Sequence, residues 1–115
     1  MPSVLLIGYD PADLPNSEDV LTRLEKEATR FAEHSIDVTM TMVMPNDSAE
    51  SAVLGSLAEG PWDVIIVGGG LRTKAELLPL FEQVVNLIRR HSPQVAVAFN
   101  ESIESSVETA KRWLP

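Results

Sequence analysis

The chain reads as an α/β protein: a three-layer sandwich with a four-stranded parallel sheet in the order 2-1-3-4 between layers of helices. Three observations predict this. Short apolar runs alternate with helix-period segments four times along the 115 residues. Two of those runs, Val4-Leu5-Leu6-Ile7 and Val64-Ile65-Ile66-Val67, are apolar at every position. That is the pattern of strands covered on both faces of a parallel sheet. A third run, Ile36 to Met44, alternates instead, as a strand with one solvated face does at a sheet edge. Parallel neighbours are joined by right-handed crossovers through helices, so central strands one and three with strand two at an edge give the order 2-1-3-4.

Strand one is expected over Ser3 to Tyr9. Helix one should begin near Ser17, where Glu18 and Asp19 suit the positive end of the helix dipole. Its inward positions are read as Val20, Leu21, Leu24, Ala28, Phe31 and Ala32. Strand two follows at Ile36 to Met44, and its Met40, Met42 and Met44 are expected as core filler. Helix two runs from Asp47 or Ser48 to Glu59, stopped by Gly60-Pro61. Strand three is Asp63 to Val67. Beyond it, Thr73-x-x-Glu76 has the form of a capping box. Helix three carries Leu77, Leu78, Phe81, Val84, Val85 and Ile88 on one stripe ending near His91. Pro79 predicts either a kink or a short first turn with the main helix starting at the proline. Strand four is expected at Gln94 to Phe99 and helix four from Ser102 to Trp113.

The layout is flavodoxin-like or Rossmann-like, and receiver-like in topology, but lacks the usual fifth βα unit. Strand four is then an edge bearing Val95, Ala96, Val97, Ala98 and Phe99 with no guarding charge or bulge. Such edges are seldom left bare. Either the C-terminal helix shields it or two copies join there as a homodimer.

Length and composition set outer limits. The 115 residues suit one α/β domain, and 44% apolar with 23% charged residues is ordinary globular composition. A net charge of −8 with nine scattered basic residues argues against a nucleic-acid surface. The absence of cysteine excludes thiol catalysis, disulfides and zinc–thiolate sites. No metal site is expected. No run approaches the ~20 apolar residues of a membrane span, and Val4 to Ile7 is a strand rather than a secretion signal. A cytoplasmic location without membrane association is the expectation.

In open parallel sheets, ligands bind beyond the carboxyl ends of the strands where the strand order reverses. Here that crevice lies between strands one and three. The residues delivered there are Tyr9 and Asp10, the run Gly68-Gly69-Gly70-Leu71-Arg72-Thr73, and Asn100 with Glu101. Glycines allow positive φ or close approach, and the following helix start offers N–H groups to an anion. Gly68, Gly69 and Gly70 would supply backbone donors, Arg72 a charge, and Asp10 and Asn100 orienting hydrogen bonds. Arg72 at a helix N-terminus opposes the dipole by roughly 0.3–1 kcal/mol, so Asp10, Asn100 or an anionic ligand should compensate it.

Several familiar chemistries fit poorly. Gly68-x-Gly70 continues as Arg72-Thr73 and follows the third strand, unlike the dinucleotide fingerprint G-x-G-x-x-G. Receivers carry an acidic pair after strand one and a phospho-accepting aspartate after strand three, where this chain has Asp10 alone and Gly68. The loop Asp10-Pro11-Ala12-Asp13-Leu14-Pro15-Asn16 would repel a flavin phosphate and lacks the histidine of cobalamin-binding domains. The cofactor therefore stays unknown. His34 and His91 both sit at helix C-termini, where compensation of the dipole explains them.

The segment Trp62 to Arg72, with Leu80-Phe81-Glu82, Val85-Asn86, Ala98-Phe99-Asn100 and Ala110-x-x-Trp113-Leu114, resembles a group of small uncharacterised bacterial proteins of about this length. The resemblance covers residues 62 to 114. It supports the boundaries and implies no reaction, although Gly70, Arg72 and Asn100 fall among its signature positions. The leading expectation is a domain that binds an anionic small molecule, bearing phosphate or carboxylate, in the strand-one/strand-three crevice. The alternative is a pseudo-receiver-like interaction or dimerisation module without catalysis. A third reading makes Asp10 a general base and Arg72 an electrostatic stabiliser.

Overall fold

The apolar runs become strands and the periodic segments become helices. In the computed structural model, which describes residues 1–115, β1 spans Ser3–Tyr9, α1 Ser17–Glu33, β2 Asp37–Val43 and α2 Ser48–Ala58. The chain continues through β3 (Val64–Val67), α3 (Leu78–His91), β4 (Ala96–Phe99) and α4 (Ser106–Trp113). All four strands are parallel and lie in the order β2-β1-β3-β4, the flavodoxin-like layout.

Alternation along the strands divides the core in two. Leu5, Ile7, Val43, Ile65 and Val67 face α2 and α3, where they meet Val53, Leu57, Leu80, Val84 and Ile88. Val4, Leu6, Val64, Ile66 and Ala98 face α1 and α4, where Phe31, Val107 and Ala110 close the layer. Both central strands are buried throughout their apolar runs. A strand with one layer on each side must be apolar at successive positions, which is the pattern that placed β1 and β3 in the middle.

Local chemistry sets the ends. β4 begins at Ala96 rather than Gln94, because the Val95 amide turns back to the Ser92 carbonyl just after Pro93. Pro79 causes no kink: a 3-10 turn at Ala75–Leu77 precedes α3, whose first turn holds the proline. There its missing N–H costs nothing. No capping box forms at Thr73, and the cap position of that turn is Lys74, which makes no side-chain bond. A reciprocal cap appears instead between Ser102 and Ser105, ahead of α4. α1 ends with Ser35 at φ 58, while the Ile36 amide reaches the Phe31 carbonyl.

α1 and α4 are tied by charge. Glu27 is 2% exposed; its carboxylate accepts from the Val107 amide at 2.9 Å and from Arg30 at 2.8 Å. Arg30 also donates to the Glu104 carbonyl and to the Glu108 carboxylate. Its guanidinium holds the Glu108 carboxyl below the usual carboxylate range. The anion of Glu27 thus stands at the N-terminus of α4, where free amides and the helix dipole favour it.

Candidate functional site

The fold generates a crevice at the carboxyl ends of β1 and β3. From β1 the chain leaves toward α1 on one face of the sheet, and from β3 toward α3 on the other, so the loops diverge and leave a gap between them. A cavity of about 630 Å³ occupies that gap. Its walls come from Leu6, Gly8 and Tyr9 of β1, Val20, Arg23 and Leu24 of α1, and Met42 of β2. The Gly68–Gly70 run, Thr73–Lys74 and Glu76–Leu77 form the rim on one side, and Asn100–Ile103 the other. Much of the lining is aliphatic, as in most small-molecule sites.

The glycines are there for closeness rather than for positive φ, which none of them adopts. Gly68 continues the β1–β3 ladder, its amide donating to the Ile7 carbonyl at 2.8 Å. A Cβ at Gly68 would lie 3.3 Å from that carbonyl oxygen, and one at Gly70 would lie 3.3 Å from the Tyr9 Cβ. Both would crowd β1. The run then forms a 3-10 turn over Gly69–Leu71.

Most of the expected ligand-binding groups are engaged within the protein. The Gly69 amide donates to Asn100 Oδ1 at 3.0 Å, and Asn100 Nδ2 donates to Ser106 Oγ at 2.9 Å. Asn100 is only 3% exposed, so it acts as a clip from the glycine turn to α4. Asp10 is also occupied. Its Oδ1 accepts from the Ala12 amide at 2.9 Å and caps the short turn at Pro11–Asp13. Of the three glycine amides only that of Gly70 donates to no protein group.

Arg72 does not line the cavity. Its guanidinium carbon lies 5.8 Å from the centre of the Phe99 ring, on the β4 side of the glycine turn. It makes no ion pair with Asp10, and its buried Nε has no hydrogen-bond partner. Stacking on an aromatic face partly compensates the cation. Of the predicted set, Tyr9, Gly68, Gly69, Gly70, Thr73 and Asn100 line the cavity, whereas Asp10 and Arg72 do not.

The cationic wall is made by Arg23 and Lys74, which sequence reasoning did not single out. Arg23 is committed to Glu104 through two bonds of 2.7 Å. That guanidinium holds the Glu104 carboxyl down at about 2. Lys74 has no carboxylate partner, and Glu76 and Glu101 on the same rim have no cationic one. Lys74 had a faint signal in the sequence: it is the first cation after the glycine run that is not followed at helical spacing by an acid. No three histidine, aspartate or glutamate side chains come together as a metal cluster. No helix is long and apolar enough to cross a membrane.

Compared with known proteins, the chain matches no protein-family model and no curated protein. The resemblance over residues 62 to 114 therefore identifies no family. What stands is a small α/β fold with a parallel sheet in the order 2-1-3-4.

Proposed function

We propose that the crevice between β1 and β3 binds a small molecule carrying a single carboxylate or phosphate group on an apolar body. One observation carries this reading: a cavity of about 630 Å³ at the strand-order reversal has aliphatic walls and one unpaired cation, Lys74. Leu6, Leu24, Met42, Leu77 and Ile103 suit the apolar body, and the Lys74 ammonium with the free Gly70 amide suits the anion. Glu76 and Glu101 share the rim, and Glu104 already neutralises Arg23. That balance disfavours a di- or triphosphate, whose extra charge would meet like charge across the mouth.

A thermal-shift screen with aryl and alkyl monocarboxylates and monophosphate esters tests this. A ligand at a hundred times its Kd adds roughly 2.7 kcal/mol, a rise of roughly 10 °C in Tm for a chain of this size. Lys74→Ala should weaken that ligand about tenfold, the loss expected for one charge-assisted hydrogen bond. Arg72→Ala should leave its affinity unchanged. No stabilising compound in the panel, or full affinity in Lys74→Ala, refutes the reading.

A further inference from the structure

The residue rows that the sheet presents to α1 and α4 are filled unequally. Parallel register aligns Val38, Val4, Val64 and Ala96 in one row and Met40, Leu6, Ile66 and Ala98 in the next. All of them pack into the layer beneath α1 and α4. One row further toward the carboxyl ends, Met42 lies beside Gly8. The Gly68 amide extends the β1–β3 ladder past Val67, which sets Gly68 beside Gly8 and Asn100 beside Gly68. The two central positions of this row therefore carry no side chain. A Cβ at Gly68 would lie 3.5 Å from the Gly8 Cα, so the two glycines stand shoulder to shoulder. All four members of the row line the cavity, and Val20, Leu24 and Ile103 line it from the helical layer.

A floor of bare backbone selects the shape of what rests on it. Neighbouring strands run roughly 5 Å apart, so the two bare positions form a flat patch about as wide as one aromatic ring. Met42 stands at one edge of the patch. A Cβ at Gly8 would lie 3.2 Å from the Met42 sulfur and 3.4 Å from its methyl carbon, so the thioether leans in over that side. Asn100 closes the other edge, its amide already committed to Gly69 and Ser106. A thioether sulfur is attracted to the edge of an aromatic ring and gains no such contact from an alkyl chain. A ring also enters a slot between backbone and helix without freezing torsions of its own, whereas an alkyl chain must order several. We infer that the apolar body of the ligand is a planar aromatic ring, laid on Gly8 and Gly68 with its edge toward the Met42 sulfur. This inference rests on the anionic-ligand reading of the crevice and narrows it to aryl carboxylates and aryl phosphates.

NMR titration with matched pairs tests it: benzoate against heptanoate, and phenyl phosphate against hexyl phosphate. The alkyl member of each pair has the larger apolar surface, so area alone would favour it. Each aryl compound should nevertheless bind the wild type about tenfold more tightly than its alkyl partner. The Hα resonances of Gly8 and Gly68, beneath the ring face, should move upfield with the aryl compounds only. Met42→Leu keeps the volume of the wall and should weaken the aryl compounds about threefold while leaving the alkyl ones unchanged. Gly8→Ala sets a methyl group against the flexible end of Met42 and drives it into the slot, which should cost benzoate about tenfold. Circular dichroism verifies that both variants stay folded. Alkyl compounds that bind as tightly as the aryl ones, with the same dependence on Lys74, overturn the ring and leave the anion reading standing. A bound aryl compound that leaves the Gly8 and Gly68 resonances unmoved also overturns it. If none of the four compounds binds, the anion reading fails together with the ring.

Discussion

Replacing Asn100 by alanine separates a structural clip from a ligand-orienting group. The amide of Asn100 bridges the glycine turn after β3 and the first residue of α4, through bonds of 3.0 Å and 2.9 Å. Truncation removes both. The Gly69 amide is half-buried and can recruit water, and the fully buried Ser106 hydroxyl keeps its bond to the Ile103 carbonyl at 2.7 Å. Neither group is left wholly without a partner, so the cost stays near the net worth of two hydrogen bonds, about 2 kcal/mol. With an unfolding entropy of ~2.1 cal/mol/K per residue, that lowers Tm by roughly 8 °C. Urea unfolding followed by circular dichroism measures the loss directly, with an unchanged m-value showing that the folded state keeps its extent. A loss below about 0.5 kcal/mol would refute the clip. Weaker binding with unaltered stability would return Asn100 to the ligand-orienting role that its place after β4 first suggests.

Two other expectations concern the α1–α4 seam. Glu27→Ala leaves the buried Val107 amide without its acceptor, while Arg30, 35% exposed, keeps Glu108; it should cost about 2 kcal/mol in urea unfolding, the penalty of one orphaned buried donor; a loss under about 0.5 kcal/mol refutes it. The pH dependence follows from Glu104, whose carboxyl Arg23 lowers from 4.5 to about 2. A depressed folded value means that the native state binds fewer protons, so this stabilisation is complete above pH 4.5 and is lost as pH falls toward 2. The pair is more than one-third exposed, so solvent screening limits its worth to about 1 kcal/mol. The Tm difference between wild type and Glu104→Gln should be roughly 4 °C at neutral pH and should vanish in strong acid; a pH-independent difference contradicts the assignment.

How far the sequence could be read depends on what physics each element carries. β1 was legible to the residue because a doubly covered strand leaves a continuous apolar signal, and the strand order followed from the same signal. α1 was legible as a helix but not in its exact facing. Leu21 and Ala32 lie exposed, and Glu27 occupies the inward position between Leu24 and Phe31. A carboxylate at an inward position of an apolar stripe calls for a buried partner, and that partner, the Val107 amide, lies 80 positions away in the chain. The crevice was legible from topology. The direction of Arg72 was not, because a tight turn decides on which side of the glycines a side chain emerges, and residue spacing does not encode that turn. Asn100 was placed correctly at the mouth, yet its partners lie 31 and 6 positions away in the chain, beyond any local pattern.

The two layers over the sheet also differ in when they can be completed. α2 and α3 come from the middle of the chain and cover one face as it is made. The other face is shared between α1, near the start, and α4, near the end. Val4, Leu6, Phe31, Val64 and Ile66 meet Val107 and Ala110 only after roughly 45 further residues have been added beyond Ile66. At ribosomal rates of ~5–20 residues per second, half the core stays unsealed for several seconds of synthesis. Glu27 spends that interval as a charge without its helix, held in water by the open face. The seam that clamps the finished protein cannot form until α4 has been made.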